Sequence, residues 1–451
     1  MSSIVTTSHT GRFGGRTIGY SASMHETPIP GARIVSFDYL ADEPDRPVLF
    51  LCNGGPVVSS AFLHMGAFGP RRVAFPDDIH APSTGVVDNE HCLLDVADLV
   101  FFDPAGTGYS RADTELGGVA EDVDQMVAWV REWLRVHDRL TAPVHLLGES
   151  YGTIRVALAA RLLAEAGIRV AGVTLLGQAT NIIETAGRPA NVLSYVVSLP
   201  TLTAVAHHHG KLGAVPLERA VDEAFAFART EYVTALLRGP ALPRRDLERL
   251  AARLAQLTGI PAALWEERDL RLTKHEFRAE LLRERNLVLA MHDGRYAGPP
   301  AESLPPESIQ ARMVGPRALG TDAVPQAIEA AIEPYLREFL KVDTGEEYRR
   351  TAGDVEHWRW NASTSPFADW PYGHALTEAM TVLPELRVFV GTGMHDLSTT
   401  VGAAEHAAAQ CGWPAGRVRL ERYPGGHMMY SIESTLRDLA ADLRAFIGGG
   451  A

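Results

Sequence analysis

The chain has 451 residues, 46% hydrophobic and 22% charged, an ordinary globular composition with room for one large domain plus an insertion, or for two or three ordinary domains. A formal net charge of −13 and the lack of a basic run argue against nucleic acid or an anionic membrane surface as the main partner. The three cysteines, Cys52, Cys92 and Cys411, are scattered, so they outline neither a disulfide framework nor a metal-ligand set and read as buried thiols of a reducing compartment.

The N-terminus, "MSSIVTTSHTGRFGGRTIGY", holds no apolar core of the length a secretory signal needs, and no later run approaches a membrane span. A cytoplasmic protein without membrane contact is expected. "RTIGYSA" and "ARIVSFDYL" have no helix between them and predict an antiparallel edge hairpin. Further strands are expected at "PVLFLC", "DLVFFD", "VHLLG" and "AGVTLLG". Within the same region, "VAEDVDQMVAWVREWLRVHDRL" sets Val123, Met126, Val127, Val130 and Leu134 on one helical face. Strand, helix, strand in that order predicts a mostly parallel sheet covered on both sides.

From about residue 182 the pattern changes to amphipathic helices such as "LERAVDEAFAFARTEYVTALLRG", "RRDLERLAARLAQLTG" and "AIEAAIEPYLREFLKV", interrupted by the loop "DGRYAGPPAESLPPES". Strand patterning returns at "LRVFVGTG" and "RVRLERYPGG", before a last helix, "STLRDLAADLRAFI". The expectation is one α/β domain in two parts, 1–181 and 373–451, interrupted by a helical insertion at 182–372.

The chemistry starts at "VHLLGESYGTIRV". Ser150 stands where a strand gives way to a helix, flanked by Gly148 and Gly152, the G-x-S-x-G pattern of a nucleophile elbow. In open α/β sheets ligands gather at the carboxyl ends of the strands. After "LRVFVG" comes Asp396, and after "RVRLERY" comes His427. Ser150, Asp396 and His427 follow the chain order nucleophile, acid, base of an α/β-hydrolase. The histidine takes the hydroxyl proton as the serine attacks, and the aspartate orients it and stabilises its charged form. Asp103 competes as the acid and His395 as the base, but Asp103 precedes the nucleophile and opens a loop, "DPAGTGYS", that reads as structural. Donors for an oxyanion are expected from "NGGP", residues 53–56, and from the backbone N–H of Tyr151.

With these residues the chain resembles the serine carboxypeptidases, in particular their bacterial carboxypeptidase C or cathepsin A-like branch. The matching stretches are "NGGPVVSSAFLHMGAFGPRRV", "DVADLVFFDPAGTGYSRA", "GESYGTIRVA", "EYVTALLRG" and "GGHMMY". The resemblance implies an α/β-hydrolase fold with the insertion as its cap, an acyl-enzyme mechanism and no cofactor. It implies that Asn53, Gly54 and Glu149 bind the free carboxylate of a peptide's last residue, and that Gly55 joins Tyr151 in the oxyanion hole. Where the family reads "NGGPG", this chain has Val57; where it reads "N-x-x-S-W", it has Cys92 and Leu93 in "NEHCL". Ala67 replaces an acidic residue of many secreted relatives, a form the bacterial branch tolerates. Val57 and Leu93 bear on substrate choice rather than on the hydrolase chemistry.

The run His207–His209 lacks a carboxylate or cysteine at ligand spacing, so no metal is expected there. "HWRW", residues 357–360, suits either a pocket lining or packing between cap and core. A peptide or small acyl substrate is the expected partner; oligomeric state, a homodimer included, is not fixed by the sequence. An acyltransferase or esterase acting on a small intermediate would use the same triad, and a non-catalytic binding protein could keep the fold.

Overall fold

Three segments, Val48–Cys52, Asp98–Phe102 and Val144–Glu149, are buried at every position. Strands without a solvent face belong in the middle of a sheet covered on both sides. The computed structural model describes residues 2–43, 45–113, 116–188, 190–305, 307–352, 355–361 and 372–449. Its main strands are β1 (Ser2–Phe13), β2 (Arg16–Ile29), β3 (Ala32–Ala41), β4 (Val48–Cys52), β5 (Asp98–Phe102), β6 (Val144–Glu149), β7 (Val170–Leu176), β8 (Arg387–Gly393) and β9 (Val418–Tyr423). They lie in the order β1-β2-β3-β5-β4-β6-β7-β8-β9, with a two-residue strand, Arg111–Ala112, beside β3. From β5 to β9 all neighbours run parallel, whereas β1, β2 and β3 form an antiparallel meander whose last strand joins β5.

This is the α/β-hydrolase fold. The expected hairpin is present but longer, and β1 precedes it; "SSIVTTSHTGRF" gives too weak an alternation to announce a strand. Helix α1 (Val119–Val136) buries Val123, Met126, Val130 and Leu134 as expected, while Val127 is only half-buried. Its contact is dominated by Trp129 and Trp133, each edge-on to Phe50 with ring centroids 5.3 Å apart. Helix α2 (Tyr151–Glu165) follows β6 directly.

No main-sheet strand occurs between Leu176 and Arg387 among the described residues. Helices fill that interval, among them Leu193–His208, Leu217–Phe227, Arg244–Thr258 and Ala323–Glu338, with one short ribbon pairing Val288–Leu289 and Ala297–Gly298. The helix read from "LERAV…ALLRG" is not uniform, because it widens into a π turn at Ala228–Tyr232. The expected end of the insertion falls on Tyr372, the first residue of the helix Tyr372–Val382, which packs on α2. Residues 362–371, just before it, lie outside the described residues. No described helix is long and apolar enough to cross a membrane.

Candidate active site

Ser150 sits between the end of β6 and the first turn of α2 with φ 58° and ψ −126°, a backbone conformation that non-glycine residues rarely hold. Packing enforces it. A Cβ on Gly148 would lie 2.2 Å from the Gly152 carbonyl oxygen, and one on Gly152 would lie 2.8 Å from that of Cys52. The flanking glycines are therefore required by close backbone approach. Ser150 N–H donates to the Leu176 carbonyl at 2.9 Å, and the hydroxyl of Thr153 donates to the Ser150 carbonyl at 2.6 Å. These bonds tie the turn to the carboxyl end of β7.

Asp396 follows β8 and His427 follows β9, as their strand-end motifs predict. His427 Nδ1 lies 2.6 Å from Asp396 Oδ2, and both side chains are buried. Asp396 also accepts from the backbone N–H groups of Ser398 and Thr399, at 2.7 and 3.0 Å, and from the Thr399 hydroxyl at 2.7 Å. Burial works to raise the pKa of Asp396, but the imidazole charge and these donors outweigh it and hold it below the usual carboxylate range. For His427 burial works to lower the pKa, and the Asp396 charge and hydrogen bond overcome it and push it up. The imidazole packs against Gly177, where a Cβ would come within 3.0 Å of the ring. Ser150 and His427 thus both lie at the carboxyl end of β7, with no hydrogen bond between them among the described residues. Such bonds commonly tighten only when substrate is bound.

The "NGGP" loop leaves β4 and folds over the elbow. A Cβ on Gly54 would lie 2.7 Å from the Tyr151 nitrogen and 2.8 Å from Ser150 Cβ, so only glycine allows this approach. Gly55 has φ +110° and is exposed. Neither Gly55 N–H nor Tyr151 N–H is used in a backbone bond among the described residues. A residue that the sequence reading missed holds this loop in place. Arg155, fully buried on α2, donates to the carbonyls of Asn53 and Pro56, each at 2.7 Å, and to Asp122 Oδ2 on α1 at 2.9 Å. The Tyr151 hydroxyl donates to the same Asp122 oxygen at 2.9 Å. The only sequence signal was a charged residue inside the otherwise apolar run "TIRVALAA".

Asn53 and Glu149 are buried in contact: Asn53 Nδ2 donates to Glu149 Oε2, while Asn53 Oδ1 accepts from Leu63 N–H at 3.0 Å. Glu149 Oε1 and the Tyr430 hydroxyl have no well-formed hydrogen bond, although the phenol lies against the carboxyl group. Burial is the main cause that raises the pKa of Glu149 to about 7, against the opposing effects of His427, Tyr430 and Asn53. Tyr430, in the quoted "GGHMMY", had been given no role.

The other singled-out residues take structural places. Asp103 Oδ1 accepts from the N–H and hydroxyl of Ser60, both at 2.7 Å, fixing a loop as expected. His395 points to Gly425 N–H and to His208 rather than to Ser150. Val57, Leu93 and Ala67 are buried within the apolar clusters on the two sides of the sheet. Val57 and Leu93 therefore add their bulk to the core. Trp358 and Trp360 stand edge-on to Tyr151 at 5.8 Å each, which is packing against the elbow. His207 and His209 place their Nε2 atoms on the carbonyls of Val215 and Gly294. Cys52 and Cys92 are buried, but Cys411 is only partly so.

The fold and this site define a serine hydrolase. More closely, the chain resembles the serine carboxypeptidases, whose family profile matches residues 38–171, the span that holds the "NGGP" loop, Asp122, the elbow and Arg155. No curated protein matches the chain. Solved structures similar to it include a haloalkane dehalogenase loop variant from Bradyrhizobium elkanii, 13% identical over 95% of this chain and 97% of that one, with a TM-score of 0.38. A serine hydrolase from Cycloclasticus zankles is 12% identical over 95% and 98%, with a TM-score of 0.39.

Proposed function

We propose that the protein is a serine-type carboxypeptidase that cleaves the last residue from peptides or peptide-like substrates through an acyl-enzyme. Ser150 attacks the scissile carbonyl while His427 takes its proton at Nε2, with Nδ1 held by Asp396. The tetrahedral oxyanion is received by the N–H groups of Gly55 and Tyr151. His427 then returns the proton to the leaving amine, and water, activated by the same imidazole, releases the acyl group. Asn53, Gly54 and Glu149 receive the carboxylate of the leaving residue. The described helices between β7 and β8 act as a cap over the strand ends.

One observation carries the reading: a buried glutamate, immediately before the nucleophile, that shares one oxygen with an asparagine amide and has no well-formed hydrogen bond on the other, with the Tyr430 phenol lying against the carboxyl group. Burial holds its pKa near 7, so near neutral pH a large fraction is protonated and can donate to an anion. Mass spectrometry of N-acylated peptides with free C-termini tests this. Stepwise loss of C-terminal residues, absent in Ser150→Ala, is expected. Equal cleavage of the matched C-terminal amides would mean an esterase or acyltransferase instead.

A further inference from the structure

Three side chains remote in sequence meet on the face of the sheet that α1 covers. His25 stands on β2 and Asp38 on β3; Asp38 is paired in register with Ser23, which makes His25 its diagonal neighbour on the same face. His137 ends α1 as its C-cap. The Nε2 atoms of His25 and His137 lie 3.8 and 4.0 Å from Asp38 Oδ2, and the three atoms all fall within 4.8 Å of one another.

The surroundings leave this carboxylate undercompensated. Asp38 has no exposure, and its one hydrogen bond among the described residues comes from the Trp133 indole at 2.8 Å, with Oδ1 unpartnered. A buried carboxylate needs a full set of donors or a cation. Arg139 directs its two terminal nitrogens to Asp98, at 2.8 Å, and to the carbonyl of Arg46 rather than to Asp38. His137 reaches the Trp133 carbonyl as well as Asp38. Its Nδ1 is 2.9 Å from that carbonyl, so in the neutral ring Nδ1 carries the proton and the Nε2 lone pair is free. A ring nitrogen held by a carbonyl while the other faces a carboxylate is how metal-ligating histidines are oriented.

We propose that His25, Asp38 and His137 form a binding site for a first-row divalent transition ion such as zinc, separate from the hydrolase centre. Two imidazoles and one carboxylate suit zinc or cobalt and disfavour calcium and magnesium, which take oxygen ligands. Zinc binds such ligands at about 2.0–2.2 Å, so adjacent donors lie roughly 3.3 Å apart; each imidazole closes on Asp38 by about 0.5–0.7 Å and the two imidazoles close on each other by up to about 1.5 Å. Both side chains are 14–15% exposed, which leaves them room to move and gives the ion a way in. Asp38 Oδ1 or a water fills the fourth position. The ion clamps the antiparallel end of the sheet to the last turn of α1.

The test uses the full chain, stripped with a chelator and titrated with zinc against a chromophoric competitor. One zinc per chain is expected. His25→Ala and His137→Ala should each weaken it by about 100-fold or more, and His208→Ala, in the separate histidine run, should not change it. Copper(II) should quench part of the tryptophan fluorescence, because the Trp133 ring stacks on His137 at 4.0 Å; His25→Ala should lose that quenching while keeping its circular dichroism and its hydrolase activity. No stoichiometric binding up to millimolar zinc would overturn the proposal, as would an affinity unchanged in both His25→Ala and His137→Ala.

Discussion

Arg155 and Asp122 form an ion pair at 2.9 Å with neither side chain exposed, and together they touch both segments that carry the proposed oxyanion donors, the loop at Asn53–Pro56 and Tyr151. Buried ion pairs add little net stability, since desolvation offsets the attraction. Their geometric effect here is definite: one guanidinium fixes the carbonyls on either side of Gly54 and Gly55. Arg155→Lys keeps the charge but not the fork of donors. It should lower kcat by about 10- to 100-fold with a smaller change in KM, because a displaced oxyanion donor is missed mainly in the transition state. Equal loss in kcat and gain in KM, measured by steady-state kinetics, would assign Arg155 to substrate binding instead.

Ser150→Ala should remove both turnover and labelling by a fluorophosphonate, with the fold retained by circular dichroism. Loss of the nucleophile from such a triad costs on the order of 10⁶ in kcat. Labelling that survives at another serine, located by peptide mapping, would contradict the elbow.

Val57 is buried among apolar side chains, so its replacement acts first on stability. Val57→Ala should cost about 1–3 kcal/mol in chemical denaturation, with the ranking of peptide substrates preserved. A changed ranking at unchanged stability would return Val57 to the substrate side.

The parallel strands, the strand-to-helix turn at Ser150 and the strand-end places of Asp396 and His427 were legible because each depends on local patterning: continuous apolar runs, glycines at fixed offsets and polar residues just past a strand end. What escaped depends on contacts across the chain. β1 has weak alternation and gains its place only by pairing with β2. Asp122 and Arg155 lie 33 positions apart on two helices, and nothing local to either announces the pair. The burial of Val57 escaped for a related reason: a motif departure shows which residue changed but not which way its side chain points. His25, Asp38 and His137 are similarly invisible until a strand register and a helix end bring them together.

Glu149 also predicts a stability signature. Burial raises its folded pKa to about 7 from an ordinary value near 4.5. Between those values the native state keeps a proton that the unfolded chain has lost, so this group lowers stability as pH rises through the window, by on the order of 1–3 kcal/mol. Glu149→Gln should remove that fall, making the variant relatively more stable at pH 8 than at pH 5 in urea titrations. An identical pH dependence in both proteins would mean that Glu149 is not held protonated.

The most direct test of the carboxypeptidase reading is the pH dependence of kcat/KM on a matched peptide acid, peptide amide and ester. His427 must be neutral to act as base and Glu149 must be protonated to receive a carboxylate, yet His427 is pushed up to about 9 and Glu149 only to about 7. The two groups are close enough to titrate as a pair, so the peptide acid needs the single shared proton on Glu149 rather than on His427, and both limbs of its profile belong to the pair. The account predicts a narrow bell for the peptide acid, falling about tenfold per pH unit on its alkaline side, and a rise to a plateau for amide and ester. In Glu149→Gln the alkaline fall for the peptide acid should flatten. If acid and amide are cleaved equally at every pH, Glu149 does not read a substrate carboxylate and the protein is not a carboxypeptidase.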